Sequence, residues 1–312
     1  MPKKKTKQNK LTDKYPLIAI PAILFLILFF LTVADLFYKS LIFLNQTKPQ
    51  IINFQNTLYP ILSNNNLPIL TANGAIVMDS ENKKIIFQKN MDVRFSPAST
   101  TKIMTALTAL QYFKPDDILT VDGSNIDSEV GLKPGQRFTF TTLLYAMMLP
   151  SDNKAAETIA SNYKGGEKAF IKQMNQNAKS WSLKNTYFSD PVGLLDDSDY
   201  TTPFDLALLS SIAMENPTIR KVVATKETTV SDVDEASVYD LQNLNILLGT
   251  DGVVGLKTGH TDEAKDVLVT AKNEQGHLLI IVVMNSDNRF PDTLNILNFI
   301  DGKITFLPIR LK

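Results

Sequence analysis

The chain has 312 residues, 44% hydrophobic and 21% charged, enough for one large domain or two interleaved subdomains around a substantial core. Its zero net charge hides an asymmetry: residues 1–14 carry six lysines against Asp13 (+5), so the remaining residues sum to −5, which argues against nucleic acid as the main partner. Cysteine is absent and the only histidines are His260 and His277, which excludes disulfides, thiolate nucleophiles and cysteine- or histidine-rich metal sites.

After the basic segment 1–15 comes an uncharged run from Pro16 to Ala34. It is about as long as the ~20 residues a helix needs to cross a bilayer, and longer than the ~7–15 residues of a secretory signal core. Residues 16–36 are therefore expected to form an uncleaved transmembrane anchor. The lysines before it and Asp35 after it place the N-terminus in the cytoplasm and the rest of the chain outside. A cleaved signal ending near Thr32-Val33-Ala34 is the alternative. Residues 37–72, broken by Asn64-Asn65-Asn66, read as a stalk lifting the body off the membrane.

The body is expected over 73–302, with 303–312 as a tail. Ala75–Met78 and Lys84–Gln88 read as a hairpin turning at Asp79-Ser80-Glu81-Asn82. A helix is expected from Ser99 to Phe113, then short strands and turns over 116–140, with Lys133-Pro134-Gly135 a turn. Helical patterns follow at 141–148, 154–163, 167–180 and 203–214. Strands at 252–258, 266–272 and 278–284 and a helix at 291–301 close the chain. Strands at both ends with helices between predict an α+β fold, one antiparallel sheet flanked by helices and interrupted by a helical subdomain.

Three short patterns carry chemistry: Ser99-Thr100-Thr101-Lys102, Ser151-Asp152-Asn153 and Lys257-Thr258-Gly259. S-x-x-K recurs at Ser80 and Ser161 and S-D-N at Ser286, so each alone is weak, whereas Lys-Thr-Gly is unique. Context separates the copies, because Ser99 opens a helix on which positions i and i+3 share a face, bringing Lys102 to its hydroxyl. A serine hydroxyl needs a base to attack, and lysine serves as one when burial or another cation destabilises its ammonium. Lys257 would be that cation, Ser151 would relay a proton to the leaving amine, and Asn153 would hold Lys102 and the substrate amide. Lys257 and Thr258, on an edge strand, would bind a substrate carboxylate with the peptide alongside as an added strand. The N–H groups of Ser99 and His260 would form the oxyanion hole.

The similarity extends further. Pro97–Thr105, Leu149-Pro150-Ser151, Phe188–Gly193, Tyr200-Thr201-Thr202 with Asp205, Asp251-Gly252 and Lys257–Thr261 together resemble the low-molecular-mass penicillin-binding proteins. Within these, residues 73–302 look like the serine D-alanyl-D-alanine carboxypeptidases. The resemblance implies a β-lactamase/transpeptidase-like fold, action on peptidoglycan peptides ending in D-Ala-D-Ala, acylation by β-lactams, and no cofactor or metal. It also implies that Arg289 helps bind the substrate's terminal carboxylate. The chain departs from the family's usual S-G-N-D at Asp152 and Lys154, and from its usual glycine at Lys265. It ends before the C-terminal β-domain and amphipathic helix of many relatives, so the N-terminal anchor is expected to be the tether, holding a bacterial cytoplasmic-membrane protein.

A class A β-lactamase would need a glutamate on an E-x-x-x-N loop. Glu157 and Glu167 instead fall in helical patterns, which argues against that reading. A D,D-endopeptidase would use the same residues as a carboxypeptidase, and a non-catalytic penicillin sensor or wall-binding module is the remaining alternative.

Overall fold

The computed structural model describes residues 19–46, 58–63, 66–195 and 198–308. The chain divides into two compact units, residues 1–55 and 56–312. In the first, helix α1 runs from Ala19 to Gln46, and its described side chains, 25–39, are all exposed. No helix among the described residues is long and apolar enough to cross a membrane. The anchor expected at 16–36 falls partly outside them, as do residues 16–18 and the side chains of 19–24.

In the second unit the elements follow in chain order. Strands β1 (Leu58–Leu62), β2 (Gly74–Asp79) and β3 (Ile85–Lys89) lead to a 3-10 turn, Ala98–Thr101, and helix α2 (Lys102–Leu110). Then come β4 (Ile118–Thr120), β5 (Arg137–Thr139), and helices α3 (Phe140–Met148), α4 (Asn153–Ser161), α5 (Gly166–Ser180), α6 (Pro203–Glu215) and α7 (Pro217–Val223). The hairpin β6 (Glu227–Ser231) and β7 (Val238–Gln242) precedes β8 (Val253–Thr261), β9 (Lys265–Glu274), β10 (His277–Ser286), α8 (Arg289–Ile300) and β11 (Ile304–Pro308).

Strands β3-β2-β10-β9-β8 form the main sheet in that order, every neighbour antiparallel. Strands β2 and β3, from before the helices, join β8, β9 and β10, from after them, through the β2–β10 pairing, so the helices between are an insertion, as the sequence pattern predicts. The run Leu279–Met284 is buried on both faces because its side chains alternate between two cores. Ile280, Val282 and Met284 join Ile76 and Met78 of β2 against α2 and α6, through Ile103, Leu107, Leu206 and Leu209. Leu279, Ile281 and Val283 join Ala75 and Val77 against Ile296, Leu297 and Ile300 of α8. Each such side chain contributes about 1.5–3 kcal/mol on full burial.

The structure differs from the sequence expectation at both ends of the unit. Residues 58–62, expected as stalk, pair antiparallel with residues 304–308, expected as tail, in register Leu58 to Pro308. Leu62 and Phe306 pack on the α8-side core, and Phe306 stacks on His277 with centroids 3.7 Å apart. The β6–β7 hairpin was not expected at all. Its alternation is carried by Thr, Val and Tyr with little burial, so it lacks an apolar signature.

Candidate active site

Ser99 sits on the 3-10 turn and Lys102 begins α2, so the expected single helix is two elements. The difference helps, because in a 3-10 turn side chains i and i+3 eclipse, stacking Lys102 over Ser99. Lys102 is fully buried, and its Nζ lies 3.0 Å from Ser99 Oγ, 2.6 Å from Ser151 O, 3.2 Å from Ser151 Oγ and 2.7 Å from Asn153 Oδ1. Four acceptors surround a group with at most three protons. In the neutral amine the two protons go to the acceptor-only atoms at the shortest distances, Ser151 O and Asn153 Oδ1. The lone pair is then left for a hydroxyl proton. Burial lowers the Lys102 pKa to about 8, against the opposing pull of Glu129, Asp152 and Asp190.

The backbone around these residues is unusual. Ala98, just before Ser99, has φ +46°, and Ser151 has φ +68°. Both are left-handed without being glycine, a strain of about 1–2 kcal/mol each that clusters at working sites. Gly193 supports the turn from behind: a Cβ there would lie 2.0 Å from the Ala98 carbonyl oxygen. The Asp190 carboxylate shapes that loop by accepting from the N–H groups of Val192, Gly193, Leu194 and Leu195. Gly259 plays the matching part in front, since a Cβ there would come within 3.1 Å of Ser99 N.

Strand β8 is an outer strand of the sheet and carries Lys257, Thr258, Gly259 and His260 past Ser99. An outer strand leaves alternate N–H and C=O groups unpaired for an extended peptide. Lys257 is buried and donates to Thr258 O at 3.0 Å. Burial first, then repulsion from Lys102 and Arg289, hold its pKa well below the ordinary lysine range. Arg289 donates from one terminal nitrogen to Gly259 O (2.7 Å) and Asp266 (3.0 Å), while Asp266 also meets His260 Nδ1 at 2.8 Å. Burial lowers the Arg289 pKa, opposed by Asp266.

Together Ser99, Ser151, Asn153, Thr258, Gly259, His260 and Arg289 line one cleft of about 200 Å³, completed by Glu129, Pro150, Leu194 and Leu244. Lys102 and Lys257 lie buried and do not line it. All nine residues singled out from the sequence therefore belong to one neighbourhood. Glu129, Leu194, Leu244, Asp190 and Asp266 were missed as site residues. Only Asp190 had a signal, its place in the Phe188–Gly193 stretch. The departures Asp152 and Lys154 turn out to be anchors: Asp152 accepts from Ser128 Oγ and Val130 N, and buried Lys154 donates to Ser124 Oγ at 2.8 Å. Lys265, with φ +52°, pairs with Asp287 at 2.8 Å and does not line the cleft. Among the described residues no group of three His, Asp or Glu is placed to hold a metal ion.

Residues 63–288 match the peptidase S11 family, described as D-alanyl-D-alanine carboxypeptidase. The chain is 30% identical over 221 residues to the D-alanyl-D-alanine carboxypeptidase DacF of Bacillus subtilis, covering 68% of this chain. It spans only 57% of that relative's length. It is 28% identical over 254 residues to a D-alanyl-D-alanine endopeptidase of Pseudomonas aeruginosa, covering 78% of this chain and 82% of the relative. The crystal structure of the Streptomyces K15 DD-transpeptidase superimposes with a TM-score of 0.71 at 34% identity, covering 75% of this chain and 98% of that one. With the serine–lysine–serine cluster assembled on the same fold, the chain belongs to the D-alanyl-D-alanine carboxypeptidase family of serine peptidases.

Proposed function

We propose that this chain removes the terminal D-Ala from peptidoglycan stem peptides through an acyl-enzyme on Ser99. The observation that carries the reading is Lys102 Nζ, buried and 3.0 Å from Ser99 Oγ and 3.2 Å from Ser151 Oγ. The peptide lies along β8 with its C-terminal carboxylate toward Arg289, Thr258 and Lys257. A bound carboxylate favours the protonated form of Lys257. Neutral Lys102 takes the Ser99 proton as Oγ attacks the penultimate carbonyl. The N–H groups of Ser99 and His260 receive the developing oxyanion. As the tetrahedral species collapses, the proton passes from Lys102 through Ser151 to the leaving amine of D-Ala. Water then attacks the ester, giving up its proton by the reverse path, and the shortened peptide leaves. A β-lactam enters the same cycle at acylation.

The names of relatives also favour a second reading, an endopeptidase cutting a cross-link, which differs only in what the leaving amine carries. The proposal further places the chain at the bacterial cytoplasmic membrane, anchored by residues 16–36, on the strength of the lysine-flanked uncharged run. Sedimentation of the full chain with membranes, and loss of it on deleting residues 1–40, tests the anchor.

The activity is tested by D-alanine release from a peptide ending in D-Ala-D-Ala. Wild type is expected to release it and Ser99→Ala not to. Release by both discards Ser99 as nucleophile. Release by neither, with cleavage of cross-linked dimers, selects the endopeptidase, and no cleavage of either substrate with intact β-lactam binding selects a sensor.

A further inference from the structure

We propose that Glu129 is a positioning residue of this centre: its two carboxylate oxygens grip Asn153 and, through that amide, fix the orientation of the groups around Lys102 and place a negative charge behind it. The inference rests on the reading of Lys102 as the base for Ser99. Glu129 Oε2 accepts from Asn153 N at 2.6 Å and Oε1 accepts from Asn153 Nδ2 at 2.5 Å. A carboxylate only accepts, so Nδ2 must face Glu129 and Oδ1 must face Lys102.

The consequence lies in the lone pair of Lys102. With Oδ1 turned inward, the amine donates to Asn153 and Ser151 O and keeps its lone pair for the Ser99 proton. With the amide reversed, Nδ2 would donate to that lone pair and block the base. Glu129 forbids the reversal, and it lines the same cleft as Ser99.

The chain has built a support for this carboxylate. Ser128 Oγ donates to Asp152 and accepts from Gly131 N and Leu132 N, winding the loop tightly around the residue before Glu129. Val130 N donates to Asp152 as well, and Lys154 holds Ser124 at the loop's start. The loop that presents Glu129 is thus pinned by the two residues flanking Asn153, the same two that depart from the family's S-G-N-D pattern.

The charged groups facing Lys102 are Glu129, Asp152 and Asp190 on the negative side and Lys257 of β8 on the positive side. His260, held by Asp266 across the cleft, is common to every variant below and cancels in comparison. The experiment follows acylation of the full chain by a chromogenic β-lactam between pH 5.5 and 9.5 for wild type, Glu129→Gln and Glu129→Asp. Gln cannot accept both Asn153 donors and carries no charge. Its acid limb is expected to move about one pH unit lower, with the high-pH rate falling about tenfold. Asp keeps the charge at a shorter reach, so its limb is expected to stay with the wild type while its rate falls less. A limb in Glu129→Gln that coincides with wild type, at whatever rate, overturns the inference. A wild type that is not acylated at all overturns the reading of Ser99 beneath it.

Discussion

Replacing Gly193 by alanine tests how the nucleophile is held. The added Cβ would lie 2.0 Å from the Ala98 oxygen, 2.6 Å from its carbon and 2.7 Å from Thr101 Oγ1. A carbon and a carbonyl oxygen need about 3.3 Å, so two backbone segments must part by about 1 Å. One of them carries Ser99 on its next residue. The left-handed φ of +87° adds about 1 kcal/mol for any side chain, and the forced shift about 1–3 kcal/mol. The sum is about 2–4 kcal/mol, or roughly 5–15 °C in Tm for a domain of this size. Displacing the nucleophile by about 1 Å is expected to slow acylation on the order of a hundredfold. Gly276→Ala is the control: its φ is +86°, but nothing lies within 4 Å of the new Cβ, so only the conformational cost remains. Calorimetry and β-lactam acylation rates on both variants decide the matter. If Gly193→Ala melts with Gly276→Ala and acylates at the wild-type rate, the backing of the turn by Gly193 is wrong.

Three further outcomes are expected. With Lys102 at about 8, the neutral base is roughly one tenth of the protein at pH 7 and one hundredth at pH 6. Wild-type acylation is therefore expected to fall tenfold per unit below pH 8, and Lys102→Arg, always charged, to abolish it; a flat profile from pH 6 to 9 would remove Lys102 as base. Glu157 is buried with Oε2 unpaired, and burial, then Glu167, Asp122 and Asp190, raise its pKa from 4.5 to about 7. The folded state then binds more protons than the unfolded chain between pH 4.5 and 7, so this group's contribution to stability falls as pH rises through that window. Glu157→Gln is expected to raise stability at pH 8 by about 1–3 kcal/mol and by much less at pH 4, measured by urea unfolding. Lys265→Gly removes a left-handed side chain and one exposed ion pair, so acylation is expected to stay at the wild-type rate, with stability changed by less than about 1 kcal/mol.

What the sequence made legible divides along a physical line. The central strands showed themselves because Ala75–Met78 and Leu279–Met284 are buried on both faces and need no partner to be recognised. The trio around Ser99, Ser151 and Lys257 was legible because the chemistry restricts residue types at those positions. The β1–β11 pairing was not, since Pro60 in a short outer strand speaks against a strand and its partner lies at the far end of the unit. Glu129 was invisible for a related reason: a glutamate in a polar loop has no meaning until the fold sets it against Asn153.

That last case bears on how departures from a family pattern are to be read. In the sequence alone, Asp152 and Lys154 are only substitutions in a motif. In place, both side chains leave the cleft to Ser99 and its neighbours and bind the loop between Ser124 and Leu132. They bring opposite charges to the two sides of Asn153, and the loop they hold returns a third charge, Glu129, to Asn153 itself. A lone buried lysine or aspartate at either position costs several kcal/mol when unpaired, so the stability of the fold itself keeps both groups in register. Their joint satisfaction sets Asn153 and Glu129 in place beside the Ser99–Lys102 pair, and it puts what distinguishes this chain from the family pattern in the loop from Ser124 to Leu132.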